Sequence, residues 1–150
     1  ILEDMSSSCA TYDDVNLMLR LYELRREERL RDARRWYAKD FKAKTLAEFD
    51  KLCPPGSVEN ESYRMVASYW EMTASFVATG VLSKAVFFES GRELLFAYER
   101  LRAILPAMRE RNKDPRYFRN MEKVSEDYIA WYEEQAPGAH EAFAVRIGAR

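Results

Sequence analysis

The segment Ser62–Gly80, SYRMVASYWEMTASFVATG, constrains the fold more than any other stretch of the chain. Tyr63, Met65, Val66, Ala67, Tyr69, Trp70, Met72, Ala74, Phe76, Val77 and Ala78 spread around most of a helix circumference, and only Arg64 and Glu71 are charged. A helix that is apolar on most sides must be covered on most sides. The run is too short and too rich in polar atoms for a membrane span, which wants about 20 mostly apolar residues. It reads as the central helix of a soluble bundle, and the rest of the chain must supply its cover.

A chain of 150 residues can do so as one domain, with a core that needs neither disulfides nor metals. Only five Gly and five Pro interrupt it, and no stretch alternates apolar and polar residues as a half-buried strand would. The expected fold is therefore all-α, a single-domain bundle of four to five main helices with short connecting helices. The balance of 24 basic against 25 acidic residues gives no global attraction to nucleic acid or an anionic membrane. Cys9 and Cys53 show no metal or redox spacing and fit a reducing, cytoplasmic setting. No signal peptide or transmembrane run is read in the sequence, so membrane attachment would need a segment absent from this chain.

In chain order, residues 1–10 read as a flexible tail, 11–135 as the bundle and 136–150 as a C-terminal extension. Thr11 and Asp14 have capping-box spacing ahead of Val15, Met18, Leu19 and Tyr22, which recur at helical steps. The pattern continues to Phe41 without Gly or Pro. It predicts one long helix or two nearly continuous ones, with any bend near Arg25–Glu28. Thr45 and Glu48 cap a short helix through Cys53, and Pro54-Pro55-Gly56 breaks the chain before the central helix. A short helix from Ser83 to Phe88 follows. Ser90 and Glu93 form a third capping box, before a helix kinked or broken at Pro106. Asp114 and Pro115 read as N-cap and first residue of the last long helix, which ends near Gln135. His140–Ile147 reads either as a final turn docking Phe143 and Ile147 or as loose chain.

The order of four segments resembles a family of small bacterial all-helical domains of unknown function. These are LMLRLYELRREERLRDARRWY (Leu17–Tyr37), SYWEMTASFVATGVL (Ser68–Leu82), LLFAYERLRAILPAMRER (Leu94–Arg111) and DPRYFRNMEKVSEDY (Asp114–Tyr128). The resemblance covers roughly residues 15–132 and implies an all-helical fold, with no assigned activity and no catalytic residue. Relatives often carry a breaker between the leucine helix and the arginine-aromatic segment, where Arg25–Leu30 is strongly helical here.

Candidate sites are few. Arg25, Arg26, Arg29, Arg31, Arg34 and Arg35 form an arginine run that could grip phosphates beside Trp36 or Tyr37. Glu27, Glu28 and Asp32 interleave at ion-pair spacing, which favours a solvated helix face; nucleic acid is not an expected partner. Arg34 falls on the apolar side between Leu30 and Tyr37, and Glu71 lies in the central helix, so an Arg34–Glu71 ion pair inside the bundle is a candidate structural contact. Arg116 and Arg119, near a helix N-terminus, are candidate anion contacts. Trp70, Phe76 and Tyr98 are candidate pocket or interface aromatics, with core packing as the alternative. The single histidine, His140, follows a Pro-Gly turn and reads as a surface residue. Zinc, Gly-rich phosphate-loop and nucleophile-elbow motifs are missing, so no catalytic residue, metal or cofactor is expected. The reading that follows is a non-catalytic helical module acting by protein contact, self-associating. The alternative is a sensor or binding domain holding a small apolar ligand between helices.

Overall fold

The computed structural model describes residues 9–150 and contains, among them, nine α-helices and no strand. They are α1 (Tyr12–Arg25), α2 (Glu28–Asp40), α3 (Leu46–Leu52), α4 (Val58–Ala78), α5 (Lys84–Ser90), α6 (Arg92–Arg102), α7 (Leu105–Asn112), α8 (Arg119–Gln135) and α9 (Ala139–Arg146). Helices α1, α2, α4, α6 and α8 carry the bundle, and the four shorter ones turn its corners. The all-α, single-domain expectation holds. The tail expected over residues 1–10 falls almost wholly outside the described residues.

The central helix is α4, packed against α2, α6 and α8. It buries Tyr63, Val66, Ala67, Tyr69, Trp70, Thr73, Ala74 and Val77. Ser57 starts it by accepting the backbone N–H of Asn60, and Gly80 stops it at φ 82°, a left-handed conformation that glycine adopts without strain. Much of the aromatic content fills this core. Tyr37 stacks on Phe41 at 4.6 Å between ring centroids, Phe41 on Tyr63 at 5.4 Å, and Phe49 meets Tyr63 edge-on at 4.9 Å. Such contacts add about 0.5–1.5 kcal/mol each beyond the area they bury.

Several expectations are refined by contacts that come from far along the chain. Helices α1 and α2 are separate, and the break is made by side chains rather than by Gly or Pro. Glu27 caps α2 by accepting from the backbone N–H of Leu30 at 3.0 Å, and Arg34 donates to the last carbonyl of α1, Arg25 O, at 3.1 Å. The Ser90–Glu93 capping box does not form. Gly91 occupies the N-cap of α6, and Glu93 is drawn away to two arginines. Pro106 falls in the first turn of α7, where its missing N–H leaves nothing unpaired, so α6 ends at Arg102 instead of kinking. Asp114 and Pro115 do not start α8. Asp114 Oδ1 accepts from Arg116 N in a local turn, and the helix begins only after Phe118, whose φ is 56°. Within the C-terminal extension, residues Ala139–Arg146 form the helix α9, packed on α8 with Phe143 and Ala144 buried.

Candidate functional site

Three helices meet at one carboxylate. Glu93 on α6 accepts from Arg34 Nε on α2 at 2.5 Å and from Arg34 Nη2 at 2.8 Å, a two-pronged fork, while Arg25 Nη1 at the end of α1 donates at 2.9 Å. The hydrogen bonds from Arg34 to Glu93 hold its guanidinium above its ordinary value, against the opposing effect of burial. Arg25 also lies over the rings of Tyr22 at 5.0 Å and Trp70 at 5.4 Å, where the negative ring faces attract a cation.

The Arg34–Glu71 pair expected from sequence is therefore not made. Arg34 faces α1 and α6, whereas Glu71 faces α8. Glu71 Oε1 accepts from Asn120 N and Asn120 Nδ2 at 3.1 and 3.0 Å, and Oε2 accepts from Met121 N at 2.7 Å. A carboxylate from one helix thus fills the N-terminus of another, where unpaired N–H groups and the helix dipole favour negative charge. The same contact corrects the anion site expected at Arg116 and Arg119, because the donors that an anion would use are taken. Both side chains are exposed. Nearby, Arg109 turns inward to Tyr117 O and Glu122, and Arg111 pairs with Asp50.

Two grooves flank Trp70. One, of about 410 Å³, runs between α2, α4 and α6, with Arg31, Arg34 and Arg35 along one wall and Tyr37, Val66 and Trp70 beneath. The other, of about 300 Å³, lies between α1, α4 and the α5–α6 corner and includes Leu19, Tyr22, Tyr69, Trp70, Thr73 and Phe87. The indole Nε1 of Trp70 and the hydroxyl of Thr73 are buried without a hydrogen-bond partner. Of the three aromatics singled out in the sequence, only Trp70 lines either groove. Phe76 is half-buried against the core. Tyr98 is buried elsewhere, its phenol pushed up to about 12 by burial, with Arg102 acting in the opposite sense.

Helix α1 leaves much of its apolar surface uncovered. Its only buried residues are Asp14 and Leu21, while Tyr12, Val15, Leu19 and Tyr22 are 80, 43, 57 and 51% exposed. These four are spaced 3-4-3 and form one apolar stripe facing outward. Polar bonds attach the helix instead. Asp14 Oδ1 accepts from Ser83 N at 2.8 Å and Oδ2 from Thr11 N at 2.7 Å, which holds the carboxyl below its ordinary value. The available signal was the breadth of the pattern: Leu17, Leu21 and Leu24 lie beside Val15, Leu19 and Tyr22, giving more apolar surface than one neighbour covers.

His140 is buried, contrary to expectation, with Nε2 2.7 Å from Glu99 Oε1, and Arg102 donates to the same oxygen at 3.1 Å. Burial, with Glu59 nearby, raises the thiol of Cys53 to about 11. Among the described residues no His, Cys, Asp or Glu cluster could hold a metal ion, and no helix is long and apolar enough to cross a membrane.

These features define a helical domain whose elements are joined by carboxylates reaching between helices, with one helix apolar on its outer side. Residues 10–128 match the family described as Domain of unknown function (DUF4760), and the chain belongs to that family. The match spans α1 to most of α8 and leaves α9 beyond it. No curated protein and no solved structure matches the chain.

Proposed function

We propose that the domain is a non-catalytic module that acts by protein contact, with α1 as its contact element and a second copy as its partner. The observation that carries this reading is the outward stripe Tyr12, Val15, Leu19 and Tyr22, continuous with the groove at Leu19 and Tyr22. An apolar helix face spaced in this way matches the seam by which helices pair. The ends of α1 favour an antiparallel arrangement. Antiparallel copies set the N-terminal end of one helix dipole against the C-terminal end of the other.

Native mass spectrometry tests the proposal. A dimer of the 17.6 kDa chain is expected, reduced to monomer by Leu19→Glu with the helical circular dichroism unchanged. A wild-type monomer at high micromolar concentration, or a dimer indifferent to Leu19→Glu, would refute self-association through α1. The second reading, a domain for a small apolar ligand, draws support from the groove between α2, α4 and α6.

A further inference from the structure

We propose that the groove between α2, α4 and α6 binds a single-chain anionic amphiphile, an alkyl or acyl chain ending in a carboxylate or phosphate. The inference sharpens the ligand-binding reading and is independent of pairing through α1. It starts from the floor. Tyr37, Val66, Trp70 and Ala97 are each almost completely buried, and Tyr37 turns its hydroxyl away to donate to Ala97 O at 2.6 Å. What remains is rings and methyl groups, in a space of about 410 Å³ that falls within the range of small-molecule sites.

The wall has the opposite character. Arg31, Arg34 and Arg35 stand on adjacent turns of α2. Glu93, which also lines the groove, is shared between Arg34 and Arg25, so two guanidinium groups meet one carboxylate and a positive charge is left over. The side chain of Arg31 is exposed and has no hydrogen-bond or ion-pair partner among the described residues. Arg35 makes only an exposed bond to Asp32 at 3.1 Å, a type of contact that contributes little. An apolar trough beside a wall of net positive charge suits a ligand with both characters. Its chain displaces water from the floor, and its head group accepts two parallel N–H bonds from a guanidinium. A neutral chain leaves the arginines unused, and a cationic one meets like charge.

The test titrates the whole chain with octanoate and octyl phosphate, with octanol and octylammonium as matched controls. It uses calorimetry together with the indole N–H resonances of the three tryptophans. Saturable one-site binding of an anion is expected, shifting the Trp70 resonance and weakening as salt is added. Arg31→Ala should weaken it about tenfold, because the forked bond to this exposed guanidinium is lost, while Arg31→Lys keeps the charge without the fork and should fall between the two. Because Arg31 is exposed and unpartnered, neither variant should change the melting temperature. The tighter anion identifies carboxylate or phosphate as the head group. Octanol binding as well as octanoate, or anion binding indifferent to Arg31→Ala, overturns the anionic inference and leaves the apolar-ligand reading standing. Failure of all four probes overturns both.

Discussion

Removing Glu71 is the sharpest test of how this bundle is held together. The carboxylate accepts three N–H bonds from the first turn of α8, and the N-cap residue Phe118 contributes no side-chain cap of its own. Glu71→Ala leaves the N–H groups of Asn120 and Met121 without their charged partner. A hydrogen bond to a charged group contributes about 1.5–3 kcal/mol, but Glu71 is only half-buried and water re-solvates part of what is lost. The expected cost is therefore about 2–4 kcal/mol for Ala. Gln keeps one acceptor and loses the charge–dipole attraction of roughly 0.3–1 kcal/mol, so its cost should be about half as large. With about 2–4 °C of melting temperature per kcal/mol for a domain of this size, Glu71→Ala should lower the midpoint by roughly 5–15 °C. Thermal circular dichroism gives that number, and amide exchange by NMR should show faster exchange at Asn120 and Met121. A midpoint unchanged in the Ala variant, with both amides still protected, would refute the inter-helix cap. A double-mutant cycle adds a control. Glu71→Ala and Arg34→Ala should combine additively to within about 0.5 kcal/mol, because the two side chains share no partner.

Two further outcomes follow from single positions. At Gly91 a Cβ would lie 2.5 Å from the ring of Phe87 and 2.7 Å from its carbonyl oxygen, so Gly91→Ala should destabilise by about 1–3 kcal/mol in urea unfolding, and a neutral result would mean that α5 and α6 meet more loosely. Cys53 should resist a thiol reagent at pH 8 while exposed Cys9 reacts, and both should react once the chain is unfolded. Its folded value near 11, against 9.0 for the free group, means that the folded state keeps a proton the unfolded chain gives up. The stability this represents is whole below pH 9 and is lost as pH rises toward 11, so unfolding free energy should fall across that window. A flat profile from pH 9 to 11 would count against burial of the thiol.

How far the sequence could be read depended on the distance between partners. The Thr11 box and the Thr45 cap are legible because donor and acceptor are three residues apart. Ser90–Glu93 and Asp114–Pro115 carry equally good local signals and fail. Glu93 is claimed by Arg34 and Arg25, 59 and 68 residues away, and the start of α8 is set by Glu71, 49 residues before Asn120. His140 looked like a surface residue because its partner, Glu99, is 41 residues back and itself buried on α6. Apolar periodicity located the helices, since packing demands it. It could not say which of several carboxylates would reach which helix end, because each choice is electrostatically reasonable until the helices are placed.

The same limit explains why the apolar periodicity of α1 does not reveal that one of its faces stands at the surface. Helices α1 and α4 both repeat apolar residues at helical steps, and that spacing reports only that a face is covered, not by whom. Helix α4 has neighbours on three sides and spends its apolar surface on them. Helix α1 has α2 and α5, buries a single leucine, and is fastened by Asp14 to Ser83, by Tyr69 Oη donating to Leu21 O, by Arg34 to its last carbonyl, and by Arg25 to Glu93. A helix held at both ends by hydrogen bonds does not need its apolar residues for attachment. Tyr12, Val15, Leu19 and Tyr22 thus keep much of their apolar surface exposed, even with Arg25 over the Tyr22 ring, and covering that surface against a partner is favourable at about 25 cal/mol for each Å² of apolar area. That division of labour, polar bonds fixing the helix and an apolar stripe left outward, is the physical basis for the contact role proposed for α1.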